Sequence, residues 1–307
     1  MMDTRGVRAL KLMVVVASLL AGACPCLPQS VPSWTAAVSA GLKVAPQARI
    51  VVLDVSTGRL LAASRLSQAA RTLAAPGSTL KPLVLYGLVA ANRWDPSRRI
   101  ACTRKLTIAG RSLNCSHPPA DPMDGRQALA WSCNTYFATV AATLAPGELR
   151  TLLAPTGLLS QSGLTTTEAT AAFRDPETPD QNRLTLLGVD GILVTPLELA
   201  AAYRWLAIQL AVHPSSAAAQ AVQAGLAGSA SFGIAGAASL GGVPIAGKTG
   251  TANLGPGTPS HGWFAGLAPS NSPRAVVAVY LPSGHGADAA RVAAELLANS
   301  PLRQTKP

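Results

Sequence analysis

The chain has 307 residues, enough for one large domain or two small ones with a substantial core. Apolar residues make up 49% and charged residues only 13%, which excludes an intrinsically disordered chain. The formal net charge of +11 comes from scattered arginines, without a basic run or a supply of base-stacking aromatics, so nucleic-acid binding is not expected.

Residues 1–23 have the pattern of an export signal: Arg5, Arg8 and Lys11, then the apolar stretch Leu12 to Leu20, then the small residues Ala21-Gly22-Ala23. The apolar run is short for a transmembrane helix, so cleavage is favoured over a permanent anchor. Cys24 follows the small residues directly and is a candidate lipidated terminus, although Ala21 stands where lipoprotein signals usually carry a larger aliphatic residue. An extracytoplasmic location is expected, either free or held at a membrane by the signal or a lipid. Residues 24–47, with Pro25, Pro28, Pro32 and Pro46, are expected to form a tether, and 301–307 a short tail.

Arg49–Val55 predicts a strand, Ser56-Thr57-Gly58 a turn and Arg59–Ser64 a returning strand. An apolar helix is expected after Ser78. Cys102 and Cys115 flank an alternating stretch with Ala109-Gly110 near its middle, which reads as a hairpin whose cysteines pair as a disulfide in an oxidising space. The rival reading, a metal site of Cys102, Cys115 and His117, lacks a fourth ligand at a recognised spacing, so no metal is expected. Cys133 has apolar neighbours and reads as a buried thiol. Gln127–Leu144, Glu148–Leu159 and Pro196–Leu210 predict helices, while the small residues of Gly225–Gly242 suit a flexible loop or close packing. Gly262–Ala268 and Arg274–Leu281 predict strands, and Ala287–Ala298 a closing helix. Strands at both ends with helices between them predict an α+β domain over 48–300. Its antiparallel sheet is built from both ends of the chain and flanked by helices, with a helical lobe inserted.

Ala75–Pro82 places a hydroxyl, Ser78, three residues ahead of an amine, Lys81. At a helix start both side chains share one face, and a lysine whose pKa is lowered can take the serine proton. The same pattern also suits a helix cap with a solvated lysine. Only six of the 25 basic residues are lysines, so an amine at position 81 stands out in a chain that favours arginine. Two more polar clusters interrupt apolar sequence, Ser132-Cys133-Asn134 and Lys248-Thr249-Gly250-Thr251. Together the three clusters supply the parts of acyl transfer: nucleophile, base, proton path and a cation for a carboxylate. Gly250, on an edge strand, would let a substrate backbone approach.

In this order the clusters resemble the motifs of the transpeptidase domain of penicillin-binding proteins, within the penicilloyl-serine transferases. The resemblance extends to Val51–Ala62, Ser132–Phe137, Gly191–Leu206 and His261–Ala268. It implies Ser78 as the acylated nucleophile, Lys81 as its base and Ser132 as the proton relay, with Lys248 helping to keep Lys81 neutral. Asn134 would bind a substrate amide, and Lys248, Thr249, Gly250 and Thr251 the terminal carboxylate end of a D-alanyl-D-alanine stem peptide. The oxyanion hole would be the backbone amides of Ser78 and Thr251. The implied partners are peptidoglycan stem peptides and β-lactams, without a cofactor. The implied activity is that of a D,D-transpeptidase or D,D-carboxypeptidase. The alternatives are a β-lactamase, for which neither Glu168 nor Glu177 has the deacylating context, and a β-lactam sensor or non-catalytic wall-binding module.

Overall fold

The structure is a computed structural model and describes residues 32–253 and 257–304. The expected export signal, Cys24 and Cys26 lie outside the described residues. The stretch 32–47, expected within a tether, instead carries helix α1 (Trp34–Val44), capped by the Ser33 hydroxyl, which accepts from the Ala36 N–H. The helix docks because its small face is buried. Gly41 lies against Ile50 and Val292, where a β-carbon would stand only 3.3 Å from either side chain. Among the described residues no helix is long and apolar enough to cross a membrane.

Strands β1 (Arg49–Asp54) and β2 (Leu60–Ala63) form the expected opening hairpin. The Asp54 carboxylate closes its turn by accepting from the Thr57 N–H and from the hydroxyls of Ser56 and Thr57. After the short α2 (Leu66–Ala69) the chain reaches a 3₁₀ turn, Gly77–Leu80, that runs directly into α3 (Lys81–Ala90). Pro82 sits in the first turn of α3, where its missing N–H breaks no helical bond. A small hairpin follows, β3 (Thr107–Ile108) and β4 (Arg111–Ser112). Ile108 pairs with Arg111, which leaves Ala109-Gly110 as the loop, and both loop residues have positive φ, as a type I′ turn requires. The two cysteines are drawn together as expected but are not bonded. Their sulfurs stand 3.4 Å apart as free thiols, beyond a disulfide's length of about 2.05 Å.

The single helix expected over Gln127–Leu144 is two, α4 (Gly125–Ala130) and α5 (Asn134–Ala141), broken at Trp131-Ser132-Cys133. Ser132 has φ +56°, a left-handed conformation that a non-glycine residue adopts only when its surroundings hold it there. Glu148–Leu159 shortens to α6 (Glu148–Leu153) and a 3₁₀ turn. Then come β5 (Ala172–Phe173), α7 (Pro179–Leu186), β6 (Ile192–Leu193) and the long α8 (Pro196–Val212), opened by a Thr195–Glu198 capping box. Of the two readings of the small-residue segment Gly225–Gly242, close packing holds: its first residues belong to α9 (Ala217–Ser231), and a 3₁₀ turn, Gly236–Gly241, follows. Its glycines serve close packing, since a β-carbon on Gly225 would fall 2.8 Å from the Leu129 side chain of α4.

The chain ends in β7 (Ala246–Ala252), β8 (His261–Ala268), β9 (Ala275–Leu281) and α10 (Gly286–Ala298). The five-stranded antiparallel sheet runs β2-β1-β9-β8-β7, so the two chain ends build one sheet and β7 is its edge, as expected. Alternating side chains feed two cores. Val51, Leu53, Ala278 and Tyr280 face the lobe and α8, whereas Ile50, Val52, Val277 and Val279 face α1 and α10. Burial on both faces explains why β8 and β9 read as continuous apolar runs rather than alternating ones.

Candidate active site

The polar clusters meet where the 3₁₀ turn, the α4–α5 break and edge strand β7 converge. A cavity of about 470 Å³ there is lined by Ser78, Ser132, Asn134, Thr249 and Thr251, among others. Lys81 is fully buried beneath it, and its Nζ donates to the Ser132 carbonyl (2.9 Å), the Ser132 hydroxyl (3.2 Å) and Asn134 Oδ1 (2.6 Å). The Lys81 N–H donates to the Ser78 carbonyl, so base candidate and nucleophile candidate share one tight turn. The solvated-cap reading of this motif therefore fails, because the ammonium has no access to water.

Burial lowers the Lys81 pKa to about 8, against the opposing pull of the Cys133 and Cys115 sulfurs. Lys248 is also fully buried, its Nζ 3.1 Å from the Thr249 carbonyl. Burial first, and then the Lys81 charge, hold it well below the ordinary ammonium range. Lys248 was expected to help keep Lys81 neutral; the main cause lowering the Lys81 pKa is burial, and the Lys81 charge adds to the lowering at Lys248.

Several fixed contacts hold the nucleophile turn. The Ala75 carbonyl lies 2.8 Å from Trp263 Nε1, which donates to it, and 2.9 Å from His261 Nε2. The Tyr203 hydroxyl donates to the Thr79 carbonyl at 3.0 Å, and the Gly77 N–H donates to the Gly188 carbonyl at 2.8 Å. Gly77 itself has φ +56° and lies against the Thr251 backbone, where a β-carbon would fall 2.8 Å from the Thr251 nitrogen. Gly188, at φ +70°, has no room for a β-carbon because the Gly77 carbonyl occupies that space. Gly188→Ala should therefore destabilise the fold by about 2–4 kcal/mol in urea denaturation, from left-handed strain and steric overlap together. A change within 0.5 kcal/mol, roughly that of an ordinary surface substitution, would show that the turn is not pinned there.

Two residues expected to meet substrate also make contacts within the protein. Gly250 was expected to admit a substrate backbone, but its open side faces the Pro76 carbonyl and the Thr79 methyl, so the missing side chain serves packing of the nucleophile turn. Asn134 was expected to bind a substrate amide. Both ends of its amide are engaged within the protein, Oδ1 with Lys81 and Nδ2 with the carbonyls of Leu113 (3.0 Å) and Asn114 (3.4 Å). Its amide thus links the lysine to the segment that follows the β3–β4 hairpin.

The cavity also has walls that the sequence did not announce. The segment after β4, at Leu113 and Asn114, forms one side, and the N-terminal end of α10, at His285 and Gly286, another. The Gly286 N–H donates to Thr251 Oγ1 at 2.9 Å, and the positive end of the α10 dipole favours an anion beside Thr249 and Thr251. The signal was present as a Gly-His-Gly start to a strongly amphipathic helix, but nothing local says that its end meets β7.

Among the described residues no carboxylate lines the cavity. Glu168 is spent within its own loop. It accepts from the N–H groups of Ser162 (2.6 Å), Thr165 (2.7 Å) and Gly163 (3.2 Å), and although burial opposes ionisation, those bonds keep its pKa lowered.

The site also holds what the cysteine spacing left incomplete. Cys133, inside the middle polar cluster, brings its sulfur 3.9 Å from that of Cys115, joining Cys102, Cys115 and His117.

The family model for the penicillin binding protein transpeptidase domain matches residues 48–300. The chain is similar in fold to the transpeptidase domain of Burkholderia pseudomallei penicillin-binding protein 3, with 21% identity, 87% of this chain and 92% of that one covered, and a TM-score of 0.75. A peptidoglycan glycosyltransferase from Burkholderia ambifaria matches at 21% identity over 86% of this chain and 93% of that one, with a TM-score of 0.75. Pseudomonas aeruginosa PBP2, in complex with WCK 5153, matches at 22% identity over 86% and 74%, with a TM-score of 0.70. At these identities the structures speak to the fold. No curated protein compared with the chain matches it.

Proposed function

The chain belongs to the penicillin-binding protein transpeptidase domain family, and from that premise we propose that it is an extracytoplasmic D,D-acyltransferase of peptidoglycan. In this reading it acts on D-alanyl-D-alanine stem peptides through an acyl-serine intermediate and binds β-lactams covalently. One observation carries the proposal: a fully buried lysine amine, bonded to Ser132 and Asn134, sits one turn from a partly exposed serine that lines a polar cavity.

Ser78 attacks the scissile carbonyl, and neutral Lys81 accepts its proton. Ser132, already bonded to Lys81, passes that proton to the leaving amine. The backbone amides of Ser78 and Thr251 receive the developing oxyanion. The substrate carboxylate is held by Thr249 and Thr251 at the positive end of α10, with Lys248 behind them. A carboxylate arriving there favours the charged form of Lys248, which in turn pushes the proton off Lys81. Water or an amine then takes the acyl group. With no carboxylate among the described residues that line the cavity to activate water, deacylation after β-lactam binding is slow, which disfavours the β-lactamase reading.

Labelling with a fluorescent penicillin tests this. The expected result is a covalent band that persists for an hour or more, and a band that fades within minutes would instead support a β-lactamase. The pH dependence has a definite sign. Lys81 is useful as a base only when neutral, so the labelling rate should rise through the region of pH 8, about tenfold per unit on the acid side. A profile flat from about pH 6 to pH 9 would remove Lys81 as the base.

A further inference from the structure

Cys102, Cys115, His117 and Cys133 offer four ligand atoms that lie within 4.8 Å of one another. Three of the four residues are buried and Cys102 is partly so. The measured separations are 3.4 Å for Cys102–Cys115, 3.4 Å from Cys102 Sγ to His117 Nε2, and 3.9 Å for Cys115–Cys133. A zinc ion at about 2.3 Å from sulfur and about 2.0 Å from nitrogen would set neighbouring ligands on a tetrahedron at roughly 3.5–3.8 Å. Those three separations are close to the spacing of a filled site, and no pair of the four donors is more than 4.8 Å apart.

The surroundings fit as well. His117 Nδ1 lies 2.6 Å from the Pro118 carbonyl, which can only accept, so Nδ1 carries the proton and the Nε2 lone pair is left facing the sulfurs. Backbone N–H groups point at each thiol: Arg104 to Cys102 (3.3 Å), Asn134 to Cys115 (3.1 Å) and Tyr136 to Cys133 (3.5 Å). Such donors support a sulfur that carries negative charge. The donor set, three sulfurs and one imidazole without a carboxylate, suits zinc and not magnesium or calcium.

We propose that Cys102, Cys115, His117 and Cys133 form a closed structural zinc site that clamps the β3–β4 hairpin wall of the cleft to the Ser132–Asn134 loop. Four protein ligands leave no open position on the metal, so its role is positional. The ligands come from both flanks of the hairpin and from the break between α4 and α5. Cys133 lies between Ser132, held at φ +56°, and Asn134, which bonds Lys81. Asn134 also reaches the hairpin at Leu113 and Asn114, so the metal and the amide strut hold the same two segments. The site explains why Cys102 and Cys115 approach without bonding: each sulfur serves a centre shared with Cys133 and His117. The metal assignment is independent of the acyltransferase reading, whereas its effect on the active site rests on that reading.

The test begins with the full chain, reduced and folded, titrated with Zn²⁺ and, for its visible spectrum, Co²⁺. The expected result is about one metal per chain by elemental analysis, with Co²⁺ giving thiolate charge-transfer and tetrahedral bands. Cys102→Ser and His117→Ala should each weaken Zn²⁺ affinity at least about a hundredfold. Ser78→Ala should keep its metal, so a failure of the catalytic reading would leave this result standing. Failure of the reduced wild-type chain to take up either ion overturns the proposal. Uptake unchanged in both ligand variants overturns it too, as does a Cys102–Cys115 disulfide, without metal, in protein recovered from its native compartment. If the variants fail to fold, the Co²⁺ spectrum of the wild type decides between sulfur ligation and none. The positional role is read separately: removing the metal with a chelator should slow fluorescent-penicillin labelling about tenfold to a hundredfold, and re-added Zn²⁺ should restore it. An unchanged rate overturns that role.

Discussion

Ser78→Ala is expected to abolish covalent penicillin labelling altogether while leaving the protein folded. The hydroxyls closest to the proposed chemistry are already engaged: Ser132 accepts from Lys81, and Thr251 accepts from the Gly286 N–H. In serine hydrolases loss of the nucleophile costs on the order of 10⁶-fold in turnover, so the variant should show no labelled band at any practical exposure. Stability should barely change, because Ser78 is only half-buried and its turn is fixed through the carbonyls of Ala75 and Thr79, with no demand on its hydroxyl. Thermal melting beside gel fluorescence separates the two effects. A folded Ser78→Ala protein that labels like wild type would remove Ser78 as the nucleophile.

Lys81→Met should slow acylation about a hundredfold to ten-thousandfold, the usual contribution of a positioned base. Methionine nearly matches the lysine stem in length and deletes only the amine. It leaves Asn134 Oδ1 and the Ser132 carbonyl without their donor, which costs about 1–3 kcal/mol. It also removes a buried ammonium, so part of that loss is offset. The expected pattern is therefore a large kinetic defect with a small stability change, and the rise in labelling near pH 8 should vanish with the amine. A variant that retained that pH profile would place the titrating group elsewhere.

The strands and the polar clusters were legible because each depends on local rules. Arg49–Asp54 and Ala275–Leu281 carry runs of valine, leucine and isoleucine bounded by turn residues, and Gly110 readily supplies one of the two positive φ angles that the tight hairpin needs. The spacing of Ser78 and Lys81 likewise forces them together on any helical turn. Other features were misread or left open because their cause is distant in sequence. Trp131-Ser132-Cys133 reads as helix by apolar content, and the break exists because Lys81 and the hairpin hold Ser132 and Asn134 from outside. For Gly225 and Gly228 the sequence left loop and close packing both open, and the choice is made by α4, which packs into the space their missing side chains leave.

The amino-acid sequence by itself determined the fold class, the family resemblance and the three polar clusters, since periodicity and motif spacing survive without knowledge of neighbours. Only the tertiary structure decided what those groups can do. Packing of the lobe against the sheet removes water from Lys81 and Lys248, and desolvation, a property of the surroundings rather than of the residue, lowers their pKa values. Tertiary packing also decided that Cys133, 16 residues beyond His117 in the numbering, completes a four-ligand cluster. No local spacing rule anticipates that, because the hairpin and the α4–α5 break are brought together only by the fold.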